Sequence, residues 1–243
     1  MGEDQEGELG NLKQALETSG TKLSDPPAQA AGEGLWFHDP EGTLINVCAA
    51  EAAPWAEAPE WRINTPGHYT RLGLRGYPPR DMAVKPRRLG HVLTFTTDLQ
   101  RQIDFFTAVL GMRLSDRAGD VVGFLHCPGG SDHHVLAFLA GKQPGFHHAS
   151  FEVANIDEVG LGGRQMIAKG YRDGWGFGRH VIGSNFFHYI RDPWGGLAEY
   201  FCDIDYIPAD MEWQPKDWPL EDSLYVWGSD VPEDFPANFE NPE

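Results

Sequence analysis

Glu199 lies in the stretch HYIRDPWGGLAEYF (188–201), two positions from Leu197 on one side and from Phe201 on the other. A strand alternates its faces with period two, so this carboxylate shares a face with Leu and Phe and points toward the core. Burying a charge there costs several kcal/mol unless something cationic meets it. Two histidines stand at suggestive places. His91 in LGHVLTF and His148 in HHASFEV hold equivalent positions in two strand-like stretches, 57 residues apart, and Glu199 follows His148 by 51. Two neutral imidazoles and one carboxylate cap one face of an octahedral ion and leave three adjacent positions open. That donor set suits non-haem Fe(II), with Mn(II) the usual stand-in. A divalent cation is also the strongest counter-charge for a buried carboxylate. A single strand histidine is more often a packed residue than a ligand, but three donors at repeat-related positions outweigh that reading.

The elements that must position these donors recur along the chain. RLGHVLTFTT (88–97) is strand-like, and DLQRQIDFFTAVLGM (98–112) follows with Asp98 as N-cap and Ile103, Phe106, Val109 and Leu110 at helical spacing. HHASFEV (147–153) and IDEVGLGGRQMIAKG (156–170) repeat strand and helix, ending in a glycine C-cap signal. Short strands separated by Gly, Pro and Asp turns follow each pair. The pattern predicts an α+β fold with two β-α-β-β-β modules, near 86–140 and 144–202, together forming a catalytic domain over 86–202. FHDPEGTLINV (37–47) matches IRDPWGGLAEY (190–200) position by position, and ELGNLKQALETSG (8–20) before it has helical character. Residues 1–47 thus read as a partial module lacking its first strand. Asn46 stands there where Glu199 stands in the later copy, so neither the turn nor the strand requires a carboxylate. Residues 48–85 read as a linker given some order by Trp55, Trp61 and Tyr69, and 203–243 as an acidic arm packed on the body.

Composition narrows the classes. Of the net charge of −17, residues 203–243 hold twelve acids and one lysine, and residues 1–34 seven acids and two lysines. The middle is close to neutral and offers no basic stripe for phosphates, which disfavours a nucleic-acid partner. No apolar run is long enough to span a membrane, and no charged-then-apolar signal opens the chain. Cys48, Cys127 and Cys202 are odd in number, far apart and without a CxxC spacing, which points away from a disulfide framework and toward a cytoplasmic location.

LGHVLTF, HHASFEV and YIRDPWGGLAEYF together resemble the type I extradiol ring-cleaving dioxygenases of the vicinal oxygen chelate superfamily. The resemblance covers 86–202 well and 8–47 more loosely. It implies paired modules forming a cupped mixed sheet around a metal, with His91, His148 and Glu199 as ligands and His148 preferred over His147. It also implies a catalytic set. His180, Tyr189 and Glu199 follow the family spacing of nine and then ten residues, and DHHVLAF supplies His134 in preference to His133. Tyr189 would donate to a catecholate oxygen, His180 would steer that oxygen, and His134 would stabilise reduced O2 and then act as an acid. The expected enzyme is an Fe(II) oxidoreductase, with Mn(II) possible as the metal. It would insert both atoms of O2 beside the diol of a catechol in aromatic hydrocarbon catabolism, with the aromatic diol and O2 as its partners. The alternatives are a glyoxalase-type isomerase or lyase, or a non-catalytic binding module of the same fold. His133, His147 and His188 read as ordinary packed histidines. Phe186, Trp175, Phe177 and Trp194 could line an aromatic pocket, and core packing explains them equally well. Family members with two domains carry four modules, so the expectation is that an apolar edge near 35–47 is covered by the arm or by another subunit, and that the protein is a homo-oligomer.

Overall fold

The structure, a computed structural model, describes residues 3–30, 33–51, 54, 57–58 and 60–241; Trp55 lies outside them. In chain order the elements are α1 (Glu3–Ser19), β1 (Leu35–His38), β2 (Leu44–Val47), β3 (Arg88–Thr96), α2 (Leu99–Leu110), β4 (Arg113–Ala118), β5 (Val122–His126), β6 (Ser131–Asp132) and β7 (Leu136–Ala140). There follow β8 (Gly145–Glu152), α3 (Ile156–Ala168), β9 (Asp173–His180), β10 (Phe186–Arg191), β11 (Leu197–Cys202), β12 (Tyr206–Ile207), β13 (Lys216–Asp217) and β14 (Tyr225–Trp227). The expected α+β class is observed; β8-α3-β9-β10-β11 has the strand–helix–three-strand order, and β3-α2-β4-β5-β6-β7 has the same order with the two-residue β6 added. The chain forms two compact units. The first comprises Met1–Pro54, Thr94–Gly145 and Ile207–Trp218; the second comprises Trp55–Leu93, Phe146–Tyr206 and Pro219–Glu243.

In the first unit the strand order is β13-β4-β5-β7, antiparallel except for β13, which runs parallel to β4. Helix α2 begins where expected, because the Asp98 side chain accepts from the Arg101 N–H, and it ends at Gly111 in the left-handed conformation that glycine tolerates. Its apolar stripe of Leu99, Ile103 and Phe106 packs on Leu125 and Phe138. The β1–β2 hairpin packs through Phe37 against Leu16 of α1 and Val109 of α2, and both Leu16 and Phe37 are fully buried.

In the second unit the order is β3-β8-β11-β10-β9-β14. Strand β8 runs parallel to β11, and β10 runs antiparallel to it with Tyr189 directly opposite Glu199. Helix α3 lies on β9, β10 and β11, and its Leu-Gly-Gly segment explains the close approach. A Cβ on Gly163 would overlap the His188 ring, and one on Gly162 would meet Tyr200 at 3.0 Å. Strand β14, from the acidic C-terminal segment, pairs with β9, while Val231 and Phe235 pack on Trp175, Phe187, Tyr189 and Leu197. Of the aromatic residues considered for a pocket, Trp175 is core and Trp194 is solvent-facing at 84% exposure. Trp61 and Tyr69, expected to order 48–85, are both exposed. Among the described residues no helix is long and apolar enough to cross a membrane.

Candidate metal centre

Three neighbouring strands of the second unit each supply one donor: β3 carries His91, β8 carries His148 and β11 carries Glu199. All three are buried, and their ligand atoms lie within 4.8 Å of one another. Parity sets the arrangement. Leu197 pairs with His148 and Glu199 with Ser150, so Glu199 lies two residues along the face that also holds Leu197 and Phe201. Its Oε2 is 3.1 Å from His91 Nε2 and 3.7 Å from His148 Nε2. The Ser150 hydroxyl donates to the same oxygen, and Asn185 Nδ2 donates to Oε1 at 3.1 Å. Burial works to raise the Glu199 pKa, but the His91 hydrogen bond, the nearby histidines and Ser150 prevail and hold it below the ordinary value. Burial, with His147, His91 and His180 adding to it, pushes His148 well below its ordinary value. The cluster therefore holds an anionic carboxylate beside an imidazole that keeps a lone pair, and this donor chemistry fits a divalent cation.

Beside the cluster, His180 Nδ1–H donates to the Leu224 carbonyl at 2.7 Å, which leaves Nε2 to accept from the Tyr189 hydroxyl at 3.0 Å. His180 Nε2 is also 3.8 Å from Glu199 Oε1. Burial lowers the His180 pKa, against the raising effects of Glu199 and Leu224. Burial first, then the Glu199 charge, pushes Tyr189 well above the ordinary phenol range, so it remains a hydrogen-bond donor. The structure thus gathers His91, His148, Glu199, His180 and Tyr189 in the second unit. His134 lies in the first, buried against Phe124 with its Nδ1 3.1 Å from His133 Nδ1.

Comparison with known proteins identifies the family. The family model described as Glyoxalase/Bleomycin resistance protein/Dioxygenase superfamily matches residues 88–200. Metapyrocatechase 2 of Cupriavidus necator is 47% identical over 238 residues, spanning 97% of this chain and 73% of that protein. The chain belongs to the type I extradiol ring-cleaving dioxygenases. The Iron-dependent extradiol dioxygenase of Rhodococcus jostii is 28% identical over 92% of this chain and 74% of its own length. Among solved structures, the Mn(II)-bound glyoxalase from Novosphingobium aromaticivorans has a TM-score of 0.67 at 26% identity, covering 93% of this chain and 69% of that one. Membership makes the chain an oxygenase of aromatic diols within the vicinal oxygen chelate fold, rather than an isomerase or a binding module.

Two contributors to this dioxygenase's centre escape a reading of the sequence. His147, which the sequence presents as an ordinary packed histidine, has its Nε2 2.9 Å from the Phe235 carbonyl and its Nδ1 2.7 Å from His148 Nδ1. A carbonyl only accepts, so His147 Nε2 carries the hydrogen and its Nδ1 accepts from His148 Nδ1–H. The lone pair of His148 is thereby directed to Nε2, on the side of Glu199, as outer partners of ligating histidines commonly arrange. The second contributor is the C-terminal segment, through Leu224 and Phe235. The adjacent histidine pair was visible in HHASFEV, but no periodicity announces a carbonyl 88 residues away. His188, bonded to Asp173 at 3.0 Å, has a packing partner of the ordinary kind.

Proposed function

We propose that the chain opens the ring of a catechol-type diol with O2, next to the hydroxyl pair, at Fe(II) held by His91, His148 and Glu199, in the breakdown of aromatic compounds. The observation that carries this reading is the buried three-donor cluster with its anionic carboxylate and its neutral His148. Fe(II) is favoured by the donor set and by the iron-dependent Rhodococcus relative, and Mn(II) is the alternative, in keeping with the Mn(II)-bound structural neighbour. When held by His91, His148 and Glu199, the metal would supply Lewis acidity toward the diol and relay electron density from the ring to O2.

The chain's own groups do the rest. Tyr189 keeps its proton, and once His180 Nε2 has taken up a proton the Tyr189 O–H turns from that nitrogen to a diol oxygen, while Trp175, stacked at 5.7 Å and 8° to its ring, fixes its plane. His180 Nε2, its lone pair set by the Leu224 carbonyl, accepts a proton from the diol, and that carbonyl then stabilises the imidazolium. His134 would act as the acid of the ring-opening reaction, its imidazole taking up and returning a proton. In this proposal the modules at 86–140 and 144–202 form the catalytic domain. The protein acts as a homo-oligomer in the cytoplasm, a reading supported by exposed apolar side chains such as Leu72 and Trp194 and by free cysteines.

The test is oxygen uptake by iron-loaded protein across a panel of catechols, with absorbance recording a yellow ring-opened product. Metal-replete protein that consumes no O2 with any catechol would overturn the proposal.

A further inference from the structure

Outside the metal centre, a cluster of buried titratable groups lies in the first unit. Asp116 on β4, His133 and His134 are 5%, 1% and 4% exposed. Asp116 Oδ2 lies 3.2 Å from His133 Nε2, and His133 Nδ1 lies 3.1 Å from His134 Nδ1. Asp116 is itself held on both oxygens. Oδ1 accepts from the Lys216 backbone N–H at 2.7 Å, and Oδ2 accepts from Trp218 Nε1–H at 3.1 Å. Burial acts to raise its pKa, yet the bonds from His133, Lys216 and Trp218 prevail and keep it below the ordinary value. Ser115 fixes the backbone here by donating to the His133 carbonyl, and the edge of Trp213 packs against the His133 ring at 5.6 Å.

With both imidazoles neutral, these contacts admit one ordering of hydrogens. An aspartate can only accept, so His133 carries its hydrogen on Nε2. Its Nδ1 then holds the lone pair and accepts from His134 Nδ1–H, which puts the lone pair of His134 on Nε2. We propose that Asp116 and His133 form a positioning relay that fixes His134 in the Nδ1–H tautomer, so that Nε2 is the atom that takes up and returns a proton. The inference rests on the reading of His134 as the acid of the ring-opening reaction, and it adds two residues that reading does not contain. When His134 is protonated, the His133–Asp116 pair faces the new charge and stabilises it, much as a buried carboxylate supports an imidazolium in hydrolases. The second unit has the same layout. There His147 is anchored at Nε2 by the Phe235 carbonyl and meets His148 through paired Nδ1 atoms. Each unit thus holds an adjacent histidine pair whose outer member is anchored by an acceptor and whose inner member presents Nε2.

The experiment uses the full-length chain with 15N-labelled histidine and diamagnetic Zn(II) in place of iron, so that ring-nitrogen correlations report each tautomer. Wild type is expected to show His133 as Nε2–H and His134 as Nδ1–H. In His133→Asn the side-chain oxygen replaces Nδ1 as acceptor, so the His134 tautomer is kept and kcat of the iron enzyme stays within about threefold. In His133→Phe the acceptor is lost and His134 moves to Nε2–H. There kcat falls about 10- to 100-fold, the range for outer partners of functional histidines, with KM and metal content unchanged. A wild-type His134 in the Nε2–H form overturns the relay without any variant. So does a His133→Asn protein that loses the Nδ1–H form, or a His133→Phe protein that keeps both tautomer and kcat. His134→Phe separates the two claims. Full activity in that variant sinks the role of His134 itself, whereas loss there beside an unaffected His133→Phe sinks only the relay.

Discussion

Phe235 joins the C-terminal segment to the metal centre, and Phe235→Ala measures how much of the centre depends on it. The ring lies 4.7 Å from Trp175, 4.9 Å from His147 and 5.1 Å from Tyr189. Truncating a fully buried Phe costs about 3–5 kcal/mol, and Phe235 is only half-buried, so roughly half of that, about 2 kcal/mol, is expected. The three ring contacts, each worth about 0.5–1.5 kcal/mol and not additive, lead to the same magnitude. For a chain of this size each kcal/mol moves Tm by about 2–4 °C, so the variant should melt about 4–8 °C lower. The backbone carbonyl survives the substitution but loses the packing that holds it against His147. Affinity for Fe(II) should therefore fall about tenfold, the lower end of the effect of disturbing an outer partner. Thermal melts of metal-free protein and Fe(II) titrations read the two effects separately. A Tm within about 1 °C of wild type would refute the packing account. A lowered Tm with unchanged metal affinity would refute the link from Phe235 through His147 to His148.

Glu199→Gln keeps the shape but removes the anion, and breaking a buried charge pair costs about 3–5 kcal/mol; metal content by mass spectrometry should show at least ~100-fold weaker binding, and stoichiometric iron in this variant would undo the ligand assignment. Metal-free protein should lose stability as the pH falls. His147 is held at about 4, chiefly by burial, against an ordinary 6.5. The unfolded chain then binds a proton the folded chain refuses, and stability complete above pH 6.5 declines by about 3 kcal/mol toward pH 4. His148 and His180 are shifted in the same direction; urea midpoints at pH 7.5 and 4.5 test this, His147→Phe should flatten part of the slope, and identical midpoints would contradict it. Gly163→Ala should destabilise by about 1–3 kcal/mol through overpacking against His188, although Ala is normally the better helix former by about 1 kcal/mol; a raised Tm would show that the helix can retreat from the sheet.

What the sequence disclosed, and what it hid, follows from the range of the interactions. Helix α2 was legible because its cap and stripe are local: Asp98 bonds three residues on, and Leu99, Ile103 and Phe106 recur within the helix itself. The inward face of Glu199 was legible from period-two alternation, and the structure finds that residue 1% exposed. The repeat makes His91 and His148 equivalent in the sequence itself. Nothing local marks Phe235 or Leu224, because each acts through a backbone carbonyl, and a carbonyl is present at every residue. Asp116 was equally silent, since its partners Lys216 and Trp218 lie about a hundred residues away in a stretch without periodicity.

The two matching hairpins show why a motif alone does not make a site. In β1–β2, Trp36 pairs with Asn46, and in β10–β11, Tyr189 pairs with Glu199, so the shared sequence pattern preserves the register itself. Asn46 nevertheless faces solvent, its amide directed at the Leu35 carbonyl, whereas Glu199 is enclosed. The difference lies in what flanks each hairpin. β1 and β2 form a two-stranded sheet, while β11 has β8 on its other side and β10 has β9. Strand β8 brings Ser150 and His148 to the carboxylate, β3 brings His91, and the turn after β9 brings Asn185. An acid at position 199 is tolerated because three separate segments supply donors or imidazoles to it, and position 46 has no such neighbours in its own sheet. Chemistry in this fold is therefore decided by the strands that surround the repeated hairpin, which is why one copy carries Asn and the other carries the carboxylate.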